Sequence, residues 1–535
     1  MTFRILYLSS YSFWRRKDCI LSVFYRISNY LNSRKDDLDE EIEEEYVDLE
    51  YEDLPEFSIE NIEVYREEVK KLIEKIKRDF NFDLALISCY SSFSYINCIE
   101  ISAIIKYDID PSCIITVGGI HPTIRPEDFN PKNFPKYFFQ KYPKNYNPID
   151  NIICEEGELP FFNLIRDICN GTNKKRKDTS EKSLFLPPKT IDNLNDIPLI
   201  DLSLYKKYEN ELKDIKNLRL WIDFSRGCPF KCDFCLNSED YFSCYKKVRL
   251  KSIQKCIEEL KIIKNIDWIS IKSVNFTDLI FLPKRSFKNQ FFNEMNELID
   301  REGEFPFDFY AMDRIDLCSL EDLENYQKLK IVVDFGVETF SKTLLTKINK
   351  ILGKDKNQIK KAVDNYLKKT EAIIKKADEI GCSINLNFLF CMPGTTKEIL
   401  EEERSFFMEK RYDGKSLAEK YRFTLGLNVF MAYYGTKIYD DAEKIGATIY
   451  FKEWWKKFHH NQLFYASLVD PSEDLTFLDS YSYYTNLIKQ ILIKQNELGN
   501  PNYDKFSLSK ILFAFQNNYK IYERIASNLD YKNKN

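Results

Sequence analysis

Apolar positions in the first 170 residues switch between two periods. Short apolar runs at Arg4–Leu8, Tyr46–Leu49, Leu84–Cys89, Ile114–Val117 and Asn151–Cys154 read as strands. Between them, Ile20–Leu31, Ile62–Phe80 and Asn97–Lys106 repeat their apolar positions at helical spacing, as does Leu159–Cys169 after the last strand. Strands alternating with helices predict a parallel sheet covered on both faces. Here that is a five-stranded, doubly wound, Rossmann-like α/β domain over residues 1–170, with its ligand crevice at the carboxyl ends of the strands. The acidic run Asp36–Glu45 reads as a solvated loop before the second strand. Residues Asn170–Thr190 are charged and broken by Pro187 and Pro188, so a linker is expected over 171–215. Alternation then resumes, with strands expected at Leu218–Phe224, Trp268–Ile271, Phe307–Ala311, Val332–Gly336, Ile384–Phe390 and Phe423–Met431. These predict a second, larger, barrel-like α/β domain over 216–450. From Lys452 the pattern turns aromatic and helical, and a helical C-terminal extension is expected over 451–535. No repeat of fixed period is visible.

Length and charge narrow the function. A chain of 535 residues exceeds what one core normally supports, in keeping with two or three domains. Its 79 Lys and Arg against 84 Asp and Glu leave a formal charge of −5, which argues against a strong electrostatic grip on nucleic acid. The opening MTFRILYLS lacks the apolar core and cleavage site of a signal peptide. No uncharged stretch reaches the roughly 20 residues that span a bilayer. A cytoplasmic protein without a membrane span is expected. In such a chain the 14 Cys read as reduced thiols, and Cys89, Cys98, Cys113, Cys382 and Cys391, set in apolar runs, as buried small hydrophobes.

One segment departs from that reading. SRGCPFKCDFCLNS, directly after the strand WIDF, carries Cys228, Cys232 and Cys235 in a Cys-x-x-x-Cys-x-x-Cys pattern. Gly227, Pro229 and Lys231 mark it as a loop. Three thiolates on one loop can ligate three irons of a cubane that normally takes four ligands, which leaves one iron open to a chelating small molecule. A structural zinc site would want a fourth Cys or a His at matching spacing. Cys244 lies nine residues beyond Cys235, and the only His are His121, His459 and His460.

The loop, its place after the first barrel strand and Phe234 before the third Cys resemble the radical S-adenosylmethionine (radical SAM) superfamily. VDFGVETFS, with Gly336 and Glu338, resembles that family's fourth-strand segment, and NLNFLFCMPGTTKEI its fifth-strand segment near the adenine. The resemblance implies a partial (β/α)6 barrel with a 4Fe-4S cluster on the three Cys. It also implies S-adenosylmethionine held near Phe234, Gly336, Glu338, Pro393 and Gly394. The family's Gly-Gly-Glu on the second barrel strand is missing from WISIKSVNFTDLIF, which instead resembles the Phe-x-Asp-x-x-Phe form, Phe276, Asp278 and Phe281, of relatives with a cobalamin domain. Asp278 is either a cofactor contact or a loop cap.

ITVGGIHPTIRPEDF and IICEEGELPFFNLI resemble the cobalamin-binding domain that precedes the barrel in one radical SAM class. Gly118 and Gly119 at a strand end would let a flat macrocycle approach. Ser91 and Ser92 are candidates for its nucleotide tail or plain turn hydroxyls, and His121 is a secondary candidate beside a turn-stabilising role. No His precedes position 121, so base-off cobalamin is expected. The resemblance implies a 5'-deoxyadenosyl radical and methylation of an unactivated carbon or phosphinate in a small-molecule or peptide substrate. The electron would come from a donor such as flavodoxin or ferredoxin. A cobalamin-assisted rearrangement or oxidative cyclisation, and a non-catalytic iron-sulfur redox sensor, remain open. In the tail, Trp454, Trp455, His459, His460 and the SYSYY run could line a substrate pocket or pack a helical extension.

Overall fold

The computed structural model describes residues 2–11, 17–55, 57–173, 176, 178–238, 242–353, 355–457 and 462–533. Strands β1 (Thr2–Ser9) and β2 (Cys19–Ile20) lie in different sheets, although only nine residues separate them. β1 joins β3 (Glu41–Asp48), β4 (Leu84–Ser88), β5 (Ile114–Gly118), β6 (Asn151–Ile153) and β7 (Leu184–Leu186) in a sheet of order β3-β1-β4-β5-β6-β7. Every pairing is parallel. The order reverses between β1 and β4, which places the ligand crevice of this doubly wound sheet at their carboxyl ends.

Among the described residues the sheet has six strands, not five. The extra strand, β7, is a three-residue edge inside the predicted linker, with Phe185 53% exposed, and its polar flanks hide it. The acidic run is likewise no loop, because Glu41–Glu45 belong to edge strand β3. Glu41 and Glu43 face water along that edge, where charge opposes pairing with another chain. Glu44 turns inward to accept from Ser28 Oγ at 3.1 Å.

The second sheet begins with β8 (Arg219–Ile222). After it, β9 (Ser225–Arg226) pairs antiparallel with β10 (Arg249–Leu250). Strands β11 (Ser273–Phe276), β12 (Asp308–Asp313), β13 (Ile331–Glu338) and β14 (Ile384–Phe390) follow. Next come a small hairpin of β15 (Arg411–Tyr412) and β16 (Lys415–Ser416), and then β17 (Thr424–Val429). Among the described residues the sheet order is β17-β14-β13-β12-β11-β8-β2, parallel throughout: six barrel strands plus β2 from the N-terminal segment. The strand expected at Trp268–Ile271 forms five residues later. Its Ser273 and Asn275 point into the barrel, so the true strand lacks the apolar signature that WISI carries.

One apolar core joins the two sheets. Ile5, Tyr7 and Leu84 of the first sheet and Leu220, Phe276, Phe309 and Phe335 of the second belong to a single buried cluster. Helix α1 (Ser22–Asn32) is the hinge of that packing: Tyr25 Oη donates to the Trp221 carbonyl of β8 at 2.8 Å. The C-terminal segment is mainly helical, with Phe477–Glu497 packed on the barrel through Tyr481 and Tyr484 against Phe390. No disulfide links any of the cysteines. Among the described residues, no helix is long and apolar enough to cross a membrane.

Candidate active site at the carboxyl ends of the strands

The cysteine loop is pinned from three sides. Behind it, Asp278, on the turn after β11, accepts from the Phe224 amide at 3.0 Å and from the Ser225 hydroxyl. It is fully buried, and burial pushes its carboxyl up to about 7. Phe276 and Phe281 pack beside it, 4.8 Å apart, with Phe224 4.9 Å from Phe276. Asp278 is therefore a loop cap that holds the strand end leading into the cysteines. In front, the Asp233 amide donates to the Ile348 carbonyl at 3.0 Å, and Asn349 Nδ2 to the Lys231 carbonyl at 2.9 Å. From the far side the Ile438 amide donates to the Asp233 carbonyl at 2.9 Å.

Two cations that the motifs did not point to stand over the thiols. Arg314, after β12, stacks on Phe230 at 3.7 Å and approaches Cys232 Sγ at 3.6 Å. Lys350 is buried, donates to Glu338 Oε1 at 3.0 Å and lies 5.9 Å from the Phe234 ring. Burial raises all three thiols, Cys235 to about 12, while Lys350 and Arg314 pull Cys232 back down. A site that stores negative charge on sulfur needs such cations. Among the described residues no three His, Cys, Asp or Glu side chains are gathered as a single metal ion requires. The three thiols lie on one loop beneath these two cations.

The other expected contacts divide into two groups. Glu338 ends β13 with a left-handed backbone, φ 66°, which swings its carboxylate back over Gly336. A Cβ at Gly336 would stand 2.8 Å from Glu338 Oε1 and 3.4 Å from Lys350 Nζ, so glycine there makes room for the pair. Phe234 packs into the apolar cluster of Leu344, Ile348 and Met392, which puts it beside the residue preceding Pro393. Gly394 is fixed by its own backbone: its amide donates to the Pro471 carbonyl at 2.7 Å and its carbonyl accepts from Lys347 Nζ at 3.1 Å.

A cavity of about 390 Å³ opens between the two sheets. It runs from Ser88, Gly118, Gly119 and Ile153, at the carboxyl ends of β4 to β6, to Leu236 and Asn237 beside Cys235. The glycines differ in kind. A Cβ at Gly118 would meet only Ile153 at an ordinary 3.5 Å, whereas Gly119, at φ +128°, would drive one to 2.4 Å from the Cys89 carbonyl oxygen. Ser91, Ser92 and His121 do not line this cavity. Ser92 Oγ and His121 Nδ1 are 2.9 Å apart, and the His121 ring is enclosed by Tyr95, Phe129 and Trp455. Trp454 and Trp455 are also buried packing, with Trp455 Nε1 donating to Asp128 at 2.7 Å. His459 and His460 lie outside the described residues.

A buried ionic seam along the cavity had no sequence signal beyond scattered charges. Arg226 Nε donates to Asp223 at 2.6 Å and Nη2 to Glu158 at 2.6 Å, while Nη1 stands 3.2 Å from Glu156. Arg26 of α1 also pairs with Asp223, Arg249 with Glu156, and Lys251 with Glu259 at 2.8 Å. The surrounding cations hold the Asp223 carboxyl far below its usual range against the opposing effect of burial. Buried pairs of this kind fix registry more than they add stability. Here they set the N-terminal sheet against the cysteine loop.

Residues 222–407 match the family model described as the Radical SAM superfamily. The chain carries a radical SAM domain. This domain runs from the end of β8 through the helix after β14 and includes all three cysteines, Gly336, Glu338 and Gly394. The chain is 28% identical over 217 residues to an uncharacterized methyltransferase of Pyrococcus horikoshii, 39% of this chain and 42% of the relative. It is 23% identical over 424 residues to the bacteriochlorophyllide d C-8(2)-methyltransferase of Chlorobaculum tepidum, 76% and 81% of the two chains. The anaerobic magnesium-protoporphyrin IX monomethyl ester cyclase of Rubrivivax gelatinosus is 22% identical over 63% of this chain and 55% of its own. The chain thus spans about two fifths of the Pyrococcus relative and about half of the Rubrivivax one. In structure it resembles the radical S-adenosylmethionine methyltransferase TsrM of Kitasatospora setae, with a TM-score of 0.55, 16% identity, and coverage of 82% of this chain and 76% of TsrM. At that identity the likeness establishes the fold: a doubly wound domain, a radical SAM barrel and a helical C-terminal region.

Proposed function

We propose that the chain is a cobalamin-dependent radical SAM methyltransferase acting on an unactivated carbon of a small substrate. Cys228, Cys232 and Cys235 would hold a 4Fe-4S cluster, the residues around Glu338 and Gly394 would hold S-adenosylmethionine, and the edge at Gly118 and Gly119 would receive base-off cobalamin. When bound, the cluster supplies an electron for cleavage of S-adenosylmethionine, and the corrinoid a carrier for methyl. The observation that carries this reading is one continuous cavity that leads from the glycine edge to the residues after Cys235. A carrier and a radical source must meet in one space, and this cavity joins the two edges that would hold them. The protein's own work is positional: Asp278 fixes the strand end before the cysteines, Lys350 orients Glu338, and the ionic seam keeps the two sheets in register.

The relatives support methyl transfer, since the Chlorobaculum protein, matched over most of both chains, is named a methyltransferase, and the solved TsrM holds cobalamin and a 4Fe-4S cluster. The Rubrivivax cyclase keeps ring formation without methyl transfer as the second reading. On this reading residues 1–170 serve the corrinoid, 216–450 the radical chemistry and 451–535 the packing of both, joined through 171–215. A reducing, cytoplasmic setting and a flavodoxin- or ferredoxin-type donor accord with the cysteines. The test is anaerobic reconstitution with iron, sulfide and hydroxocobalamin. About four irons and one corrinoid per chain, and 5'-deoxyadenosine released on reduction with S-adenosylmethionine, are expected. Iron without corrinoid would remove the methyl carrier, and no 5'-deoxyadenosine would leave only the sensor.

A further inference from the structure

Arg314 directly follows β12 and is buried, with its guanidinium fixed by three partners. Asp316 takes one flank: Nε donates to Oδ1 and Nη2 to Oδ2, both at 3.0 Å. Nη2 also donates to the Lys350 carbonyl at 2.9 Å. The guanidinium lies over the Phe230 ring, 3.7 Å from its centroid, and Phe230 stands between Cys228 and Cys232 in the loop. A planar fork held on its flank and its face keeps one direction. The terminal nitrogen that these contacts leave, Nη1, is directed at Cys232 Sγ at 3.6 Å.

The charges around that sulfur are not equivalent. Lys350 commits its ammonium to Glu338 Oε1 at 3.0 Å. Asp316 balances Arg314 formally, but it sits on the flank of the guanidinium away from Nη1. Its side chain is 26% exposed against 7% for Arg314, so water screens the anion more than the cation. Arg314 therefore presents a positive, N–H-bearing end to a sulfur that is itself buried. A hydrogen bond from a charged donor is stronger than a neutral one, and it is strongest where the acceptor carries most negative charge.

We propose that Arg314 is a positioning residue that raises the reduction potential of the cluster by directing Nη1 at the Cys232 thiolate. This rests on the cluster assignment, in which three thiolates on one loop form the donor set of a 4Fe-4S centre with one iron open. A low-potential reductant of the flavodoxin or ferredoxin class gives up one electron, and the iron-sulfur core gains one negative charge; no bond breaks and no proton moves. Hydrogen bonds to the sulfurs and nearby positive charge are among the levers that set such potentials. Arg314 supplies both at one atom, so it favours the reduced state.

The experiment is a redox titration of the reconstituted full chain without S-adenosylmethionine, with the reduced cluster counted by electron paramagnetic resonance at set potentials. It compares the wild type with Arg314→Gln, which removes the charge, and Arg314→Lys, which keeps the charge but lacks the fork that aims Nη1. At the midpoint potential of the wild type, Arg314→Gln should show a reduced-to-oxidised ratio at least tenfold lower, a downward shift of about 59 mV for a one-electron couple, with Arg314→Lys between the two. A merely structural role would change iron loading or melting temperature and leave the potential of the loaded fraction where it was. An unshifted or raised potential in loaded Arg314→Gln would overturn the proposal. Should that variant fail to hold its cluster, an unshifted potential in Arg314→Lys would overturn it, and loss of the cluster from both would assign Arg314 to loop folding instead. A wild type without a cluster would defeat the proposed function and this proposal with it, whereas equal potentials in fully loaded proteins would defeat this proposal alone.

Discussion

Gly118 and Gly119 are adjacent in sequence, yet substitution should act on them in opposite directions. At Gly118 a methyl group meets only Ile153 at 3.5 Å, and the backbone conformation is one that any residue adopts. Gly118→Ala should therefore leave stability unchanged or raise it by about 0.4–1 kcal/mol through the lost freedom of the unfolded chain. At Gly119, φ +128° and ψ −167° lie in a region that is essentially glycine's own, which costs a side chain about 1–3 kcal/mol. The Cβ would also overlap the Cys89 carbonyl oxygen at 2.4 Å, for about another 1–3 kcal/mol while the backbone shifts. At roughly 2–4 °C per kcal/mol for a domain of this size, Gly119→Ala should lower the melting temperature by about 4–24 °C. The functional contrast is the reverse. Gly118→Leu extends a branched side chain into the cavity without backbone strain, so it should block hydroxocobalamin uptake in a spectrophotometric titration while iron content and melting temperature hold. Unimpaired uptake by Gly118→Leu would refute the corrinoid site, and a stable Gly119→Ala would refute the account of the turn.

Cys228→Ala, Cys232→Ala and Cys235→Ala should each remove the cluster as measured by iron and sulfide content, whereas Cys244→Ala and Cys256→Ala should keep it, and a full cluster in any of the first three would defeat the ligand assignment. Lys350→Met should preserve iron but weaken S-adenosylmethionine binding severalfold, because Glu338 loses the partner at 3.0 Å that holds it over Gly336; calorimetric titration showing unchanged affinity would count against that role. Asp278 has a folded-state pKa raised from 3.8 to about 7, so the folded state binds its proton more tightly and stability falls as pH rises from about 4 to about 7, by at most about 4 kcal/mol. Asp278→Asn retains an acceptor for the Phe224 amide and should flatten this window. In urea unfolding the variant should thus compare more favourably with the wild type at pH 8 than at pH 5, and a difference independent of pH would rule out the buried, titrating carboxylate.

The three cysteines, the strand before them and the glycine-bearing strand ends were legible in the sequence, because a ligand loop and a strand's apolar run are local and carry their spacing with them. The two sheets and their parallel connections followed from the same local periods. Strand β11 was misplaced for an equally local reason: in a barrel wall half of each strand faces a polar lumen, and Ser273 and Asn275 erase the apolar run there. β7 was hidden by the polar flanks of its three residues, and β2 is two residues long and finds its partner about two hundred positions away. Only the tertiary structure could bring Lys350 to Glu338, Arg314 to Cys232 and Arg26 to Asp223, since each charge reads in the sequence as one solvated side chain among many. It also separated residues that the motifs had grouped, burying Ser92 and His121 among aromatic rings while leaving Gly118 on the cavity. Local pattern determines which elements form; burial and partnership, which decide the chemistry of a charged group, exist only once distant elements pack.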